Sequence, residues 1–127
     1  DGVKTFLGIH SHGFPNLLIM SGPQGGGGQF NFIRGLESHT DYVVWMLSTL
    51  RERGSRVVDI RKEPELAYAE HCREADIRTR ALRDCLSYYN GEGNAQPGSL
   101  AYYGGPKKWH ELRAAAQASL TAYVFDA

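Results

Sequence analysis

The residues best placed to meet a ligand are Ser21–Gly28. They hold Gly22, Gly25, Gly26, Gly27 and Gly28 within seven positions. An apolar run, Leu17-Leu18-Ile19-Met20, precedes them, and a stretch of helical periodicity follows. A strand–loop–helix order of this kind presents bare backbone N–H groups and the positive end of a helix dipole. Glycine also lets the backbone approach a ligand closely. A flexible hairpin-like loop without a ligand fits the same composition. The specific phosphate fingerprints are absent, because there is no GxxxxGK[ST]. A GxGxxG reading from Gly25 or Gly26 fails at Phe30 or Asn31.

Other groups offer less. His10-x-His12 could supply two metal ligands from an extended segment, but no third or fourth ligand stands at useful spacing, so no metal is expected. His39, His71 and His110 are scattered and read as helix-surface or packing residues. Glu37 and Asp41 lie one helical turn apart. Such a pair could do acid–base work, although exposed helix charges account for it as well. Tyr88-Tyr89-Asn90-Gly91 and Tyr102-Tyr103-Gly104-Gly105 set aromatics beside flexible backbone. They could stack on a ring or pack beneath a loop. No GxSxG elbow or cysteine–histidine signature is present.

The elements that must position these groups follow from the pattern. Thr5–Ile9 suits a short strand, with a turn at Gly13 and Pro15. The continuous run Leu17–Met20 suits a strand covered on both faces, as in a parallel sheet. Asn31 is placed to cap a helix, and Gly54 to end it. Between them Ile33, Leu36, Thr40, Val43, Val44, Leu47 and Leu50 recur at helical spacing, which predicts a helix. Ser55–Arg61 suits a short strand. A second helix is expected from Pro64 to about Leu82–Leu86, with a solvated charged face supported by Glu74–Arg78 and Asp76–Arg80 pairs. Ser87–Ser99 is a loop, and Leu100–Tyr103 an extended piece. A third helix begins near Lys107 and carries Trp109, Leu112, Ala116 and Leu120 on one face. Tyr123-Val124-Phe125 closes the chain in extended form.

The 127 residues suit one ordinary domain or a piece of a larger protein. Because Asp1 is not a start residue, a fragment or processed product is expected. Fourteen lysines and arginines balance fourteen aspartates and glutamates, which offers no field for nucleic acid or an anionic membrane. No apolar run reaches the roughly 18–20 residues a membrane span needs, and no signal-peptide pattern is present. Cys72 and Cys85 form no CxxC pair and lie too far apart to bridge within a helix. They read as free thiols in a reducing, cytoplasmic setting.

The order of motifs resembles the C-terminal portion of class B flavoprotein monooxygenases of the Baeyer–Villiger type, such as cyclohexanone and phenylacetone monooxygenases. The pieces are Leu7-Gly8-Ile9, Gly13-Phe14-Pro15-Asn16-Leu17, Ser21-Gly22-Pro23-Gln24, Glu37, Ser87-Tyr88-Tyr89-Asn90-Gly91, Pro97-Gly98, Tyr103-Gly104-Gly105 and Tyr123-Val124-Phe125. They span nearly the whole chain. The resemblance implies an α/β fragment of a two-dinucleotide-binding-domain flavoprotein, mainly three helices with short strands. Residues 1–54 would be the last part of the FAD-binding domain, and 55–127 a C-terminal helical and loop region. It implies that Gly22, Pro23, Gln24, Asn31 and Phe32 lie against FAD, with Asn31 and Phe32 approaching largely through backbone. Gly27, Gly28, Gln29 and Phe30 would shape substrate access, and the loop of Tyr88 would fold over NADPH. Many relatives carry Trp at the place of Tyr88, and bulkier residues or Pro and Ser where this chain has four glycines, which implies a roomier pocket mouth.

Neither Rossmann fingerprint, nor the histidine-containing motif between the two nucleotide domains, nor the arginine facing the reactive flavin is present. The resemblance therefore implies that the chain needs the remainder of the parent enzyme, acts on a ketone with O2 only as part of it, and does not catalyse alone. Leu17–Met20, cut from its sheet, would invite self-association. From the residues alone, a stand-alone module with an anion-binding glycine loop and a purely structural domain remain rival readings.

Overall fold

A computed structural model describes residues 2–26, 31–76 and 100–126. The elements there are helix α1 (Phe32–Arg53), strand β1 (Val57–Ile60), helix α2 (Lys62–Ala75), helix α3 (Pro106–Ser119) and strand β2 (Tyr123–Asp126). β1 and β2 pair antiparallel, with Val57 opposite Asp126 and Ile60 opposite Tyr123. The α/β character and the three helices agree with the sequence reading.

α1 begins and ends where the capping residues indicate. The Asn31 side chain accepts a hydrogen bond from Arg34 N–H at 3.1 Å. Gly54 turns left-handed (φ 64°), so its N–H and that of Ser55 reach the carbonyls of Arg51 and Leu50. The buried face, however, is not the apolar stripe. His39, Tyr42, Met46 and Thr49 face the core, whereas Ile33, Val44 and Leu47 are 62%, 58% and 56% exposed. Periodicity identifies a helix with an apolar side, but it cannot say that this chain holds what covers it.

Leu17–Met20 also departs from expectation. No strand forms there, and Leu17 and Met20 are exposed. Asn16 (φ 63°) and Ser21 (φ 54°) turn the chain at either end of the run. Its backbone bonds are Ile19 N–H to Ile9 and the turn bond from Leu17 N–H to Phe14, so no second strand flanks it among the described residues. Asn16 instead lines the free edge of β1. It exchanges bonds with Val58 and donates its side-chain amide to the carbonyl of Arg56. Residues 5–10 form a tight turn closed by a Phe6–His10 bridge, not a strand.

α2 starts two residues before Pro64, whose missing N–H costs nothing in a first helical turn. It ends at Asp76, whose backbone is extended (φ −72°, ψ 98°). The single helix expected to run on to Leu82–Leu86 is therefore broken after Ala75, because the extended Asp76 backbone cannot continue it; Arg78 and Arg80, the partners of its two expected ion pairs, and the loop 87–99 lie outside the described residues. Pro106 occupies the first turn of α3. Among the described residues no helix is long and apolar enough to cross a membrane.

The core gathers Phe6, Leu7, Ile9, Tyr42, Met46, Val58, Ile60, Tyr68, Cys72, Tyr102, Trp109 and Tyr123. It draws on every described element. Much of it is amphipathic aromatic, and the polar tips find partners inside. His10 Nε2 lies 2.8 Å from the Tyr42 hydroxyl, which lies 2.7 Å from that of Tyr123. Burial holds the His10 pKa down at about 4, against the opposing pull of Asp59. In the unfolded chain His10 titrates near 6.5. Between pH 6.5 and about 4 the unfolded state binds the extra proton, so stability falls as pH falls through that window. The loss from this residue is expected to approach roughly 3 kcal/mol. Urea midpoints at pH 7 and pH 4 measure it, and His10→Leu should flatten the slope.

Candidate functional site

Residues 21–26, the described part of the glycine segment, are held by packing and by hydrogen bonds. Gly8 (φ 71°) brings its backbone against Gly25, so that a Cβ on Gly8 would stand 2.0 Å from the Gly25 Cα. A Cβ on Gly25 would come within 2.8 Å of His39 Cε1 and 3.1 Å of the Gly22 carbonyl. These glycines are required by close approach, not by looseness. Gly26 differs, since a Cβ there would meet open space. Gly27, Gly28, Gln29 and Phe30 lie outside the described residues, as do Tyr88 and Cys85.

Gln24 is fully buried at positive φ (62°). Its Oε1 accepts from Thr5 N–H (3.0 Å) and from the Thr5 hydroxyl (2.8 Å), and its amide donates to the Val3 carbonyl (3.2 Å). Its main-chain N–H donates to Leu100, and its carbonyl accepts from the Tyr68 hydroxyl at 2.7 Å. The side chain thus fastens the loop to the turn at 3–5. Tyr102 N–H donates to the Gly26 carbonyl, so residues 24–26 and 100–102 are joined by two backbone bonds. Tyr102 stacks on Tyr68 (6.0 Å, 14°) and is buried. For this tyrosine, packing beneath a loop is the role observed.

His39 stands beneath the loop. Ser21 N–H donates to its Nδ1 at 3.1 Å, and its Nε2 lies 3.1 Å from the Gly25 carbonyl. The first bond needs a bare Nδ1, so Nε2 carries the proton and donates. Trp109 backs the ring at 5.4 Å and donates its indole N–H to Leu7 O at 3.1 Å. Burial lowers the His39 pKa, the bond to Gly25 opposes this, and the Arg113 charge lowers it further. Spacing alone marked His39 as a surface or packing residue. What could have singled it out is its helical spacing with Tyr42 and Met46, the other buried residues of α1.

Gly22 and Pro23 are half-buried in the same loop, while Asn31 and Phe32 form an exposed edge at the start of α1. Phe32 is 63% exposed. Asn31 caps Arg34 N–H, and the first-turn amides of Phe32 and Ile33 have no intrahelical partners.

The other candidates separate. His10 engages Tyr42, whereas His12 Nδ1 donates to the Ile60 carbonyl at 2.8 Å, so the two rings face different partners. Glu37 pairs with Arg34 at the surface (3.3 Å). Cys72 is a buried free thiol whose pKa burial pushes up to about 12.

The chain matches no protein-family model. It is 29% identical over 113 residues to a Baeyer–Villiger monooxygenase of Streptomyces coelicolor, covering 87% of this chain and 19% of that protein. It is 34% identical over 111 residues to pentalenolactone D synthase of Streptomyces arenae, covering 83% and 18%. The solved structure of OTEMO in complex with FAD and NADP superposes on 98% of this chain and 24% of its own, with TM-score 0.78 at 19% identity. The likeness is thus to one part of a flavoprotein-monooxygenase fold. The chain is a homologue of part of the Baeyer–Villiger monooxygenases, and it spans about a fifth of the length of the curated relatives it matches.

The Gly8–Gly25 contact sets a direct test. Gly8→Ala adds a side chain into backbone at positive φ and is expected to cost about 3 kcal/mol or more. Gly13→Ala, at φ 84° in open space, should cost only the backbone strain of about 1–2 kcal/mol. Thermal or urea unfolding of the two variants compares them.

Proposed function

We propose that this chain is the C-terminal piece of an FAD- and NADPH-dependent monooxygenase that inserts one oxygen atom of O2 beside a ketone carbonyl. The balanced reaction converts ketone, O2, NADPH and a proton to ester or lactone, NADP+ and water. Sulfide oxidation is a finer possibility of the same site, and the enzyme acts in the cytoplasm. The observation that carries this reading is homology over more than four-fifths of the chain. The pinned loop and the exposed helix start support it.

Bound FAD would supply oxygen activation, and the protein would supply position and electrostatics. In this reading Gly22, Pro23 and Gln24 hold the loop against the cofactor. Gln24 acts through its anchoring bonds, which leave its side chain no free polar atom to aim outward. Asn31 and Phe32 meet the flavin edge through the first turn of α1. Gly27, Gly28, Gln29 and Phe30 shape the substrate mouth, and Tyr88 lies over NADPH. Residues 1–54 close the FAD-binding domain, and 55–127 form the C-terminal region.

The exposed stripe Ile33–Val44–Leu47 and the exposed Leu17 and Met20 then face the remainder of the parent enzyme. Alone, the chain lacks most cofactor contacts and presents these surfaces to a second copy. It is expected to bind FAD more weakly than micromolar and to self-associate. Isothermal titration with FAD and light scattering check both points. For the whole protein, expression of the complete reading frame should yield a yellow product. Its NADPH oxidation should rise on adding a cyclic ketone, with one ester formed per O2 consumed. A colourless product that cannot be reconstituted with FAD overturns the reading.

A further inference from the structure

We propose that His39 is a positioning residue that clamps the glycine loop through both ring nitrogens, and that the clamp holds only while the ring is neutral. The inference rests on the reading above only for its kinetic consequence, because the clamp itself is a feature of the loop geometry.

The ring bridges the two ends of residues 21–25. Nδ1 accepts from Ser21 N–H, and Nε2–H donates to the Gly25 carbonyl, each at 3.1 Å. No room remains for the ring to slide, because Gly25 already packs against Cε1 and Trp109 closes the other side. The segment it fixes leads within a few residues to the substrate-shaping stretch and the start of α1. A proton on Nδ1 would set two donors face to face and abolish the Ser21 bond.

The groups around the ring agree on the direction of the switch. From the loop come an N–H and a carbonyl, and from α3 come the Trp109 ring and the Arg113 guanidinium. Among the described residues Arg113 is the charged group that acts on His39; it donates to the Ser38 carbonyl at 3.2 Å and lies over the Trp109 ring at 5.5 Å. Burial and this positive charge outweigh the Gly25 bond and keep the pKa below 6.5. A released ring would titrate normally. As pH falls through 6.5 and towards the lowered value, protons therefore accumulate on the open form, and the loop is released.

The experiment is amide exchange by mass spectrometry on the full-length protein, reading peptide 21–26 with 42–49 in the core of α1 as control. In the unsubstituted protein, after correction for the intrinsic pH dependence of exchange, peptide 21–26 should exchange roughly tenfold faster at pH 5 than at pH 8, the scale of one or two lost hydrogen bonds. His39→Phe should be fast at both pH values. His39→Asn, whose side-chain oxygen stands near the place of Nδ1, should restore part of the protection and show no pH dependence. The efficiency of ketone conversion should track the exchange, with kcat/KM falling at low pH in the unsubstituted enzyme and no such fall in His39→Asn.

Equal exchange of 21–26 at pH 5 and pH 8 in the unsubstituted protein overturns the proposal. So does unchanged exchange in His39→Phe with 42–49 still protected. If His39→Phe also exposes 42–49, the pH comparison and His39→Asn decide. A protein that holds no flavin yet shows the exchange pattern would refute the monooxygenase reading and leave the clamp standing.

Discussion

Two backbones without side chains meet at Gly8 and Gly25, and the architecture of the site follows from that contact. The approach is close enough to exclude any Cβ on Gly8, so the 5–10 turn and the 21–26 loop behave as one layer. Once they touch, Gln24 can reach Thr5 and Val3, and Trp109 can reach the carbonyl of Leu7. His39, placed by α1, then fills the space beneath. A buried loop would ordinarily strand polar backbone groups. Here side chains and the 100–102 segment take up that role, which is why residues 24–25 can be buried.

Within the described part of the glycine cluster, Gly22 and Gly25 are glycines because there is no space, whereas a Cβ on Gly26 would meet open space. Composition marks all five glycines of the cluster as places of close backbone approach without saying to what. The structure shows that for Gly25 the neighbours are Gly8, Gly22 and His39 of the chain itself, so residues 21–25 form a fixed platform. A binding loop gains from this arrangement, since a segment anchored at its root loses less conformational freedom on meeting a ligand.

Legibility in the sequence tracked how local the cause was. Asn31 and Gly54 bound α1 through bonds within a few residues, and both were readable. So were β1 and the closing strand. The face α1 buries was not readable, because burial depends on what lies across from it. The core side carries His39, Tyr42, Met46 and Thr49, a polar-aromatic set that hydropathy scores poorly. Its polar tips meet Ser21, Gly25, His10 and Tyr123, partners up to 81 positions away. Leu17–Met20 failed for a related reason: a continuous apolar run records how thoroughly a segment is covered in its native setting, not whether the cover belongs to the same stretch of chain. The site was legible as a loop through its glycines, while its clamp, His39, was hidden by the same long-range dependence.

These two departures point the same way. The outward face of α1 and the run before the loop are both more apolar than their exposure in this chain can use, and both adjoin the candidate site. Exposed apolar surface of this kind marks an interaction surface. A homologue spanning about a fifth of its relatives' length has a ready account of that surface, in which the helix is shared between two cores. One side of α1 is occupied here by His39, Tyr42 and Met46; the other leaves Ile33, Val44 and Leu47 exposed, where the proposed parent enzyme would cover them. A helix gripped from both sides keeps its first turn fixed, and that turn carries Asn31 and Phe32. Under the proposed function, the placement of the edge that would face the flavin depends on both cores at once. The pinned loop is the contribution this chain makes by itself.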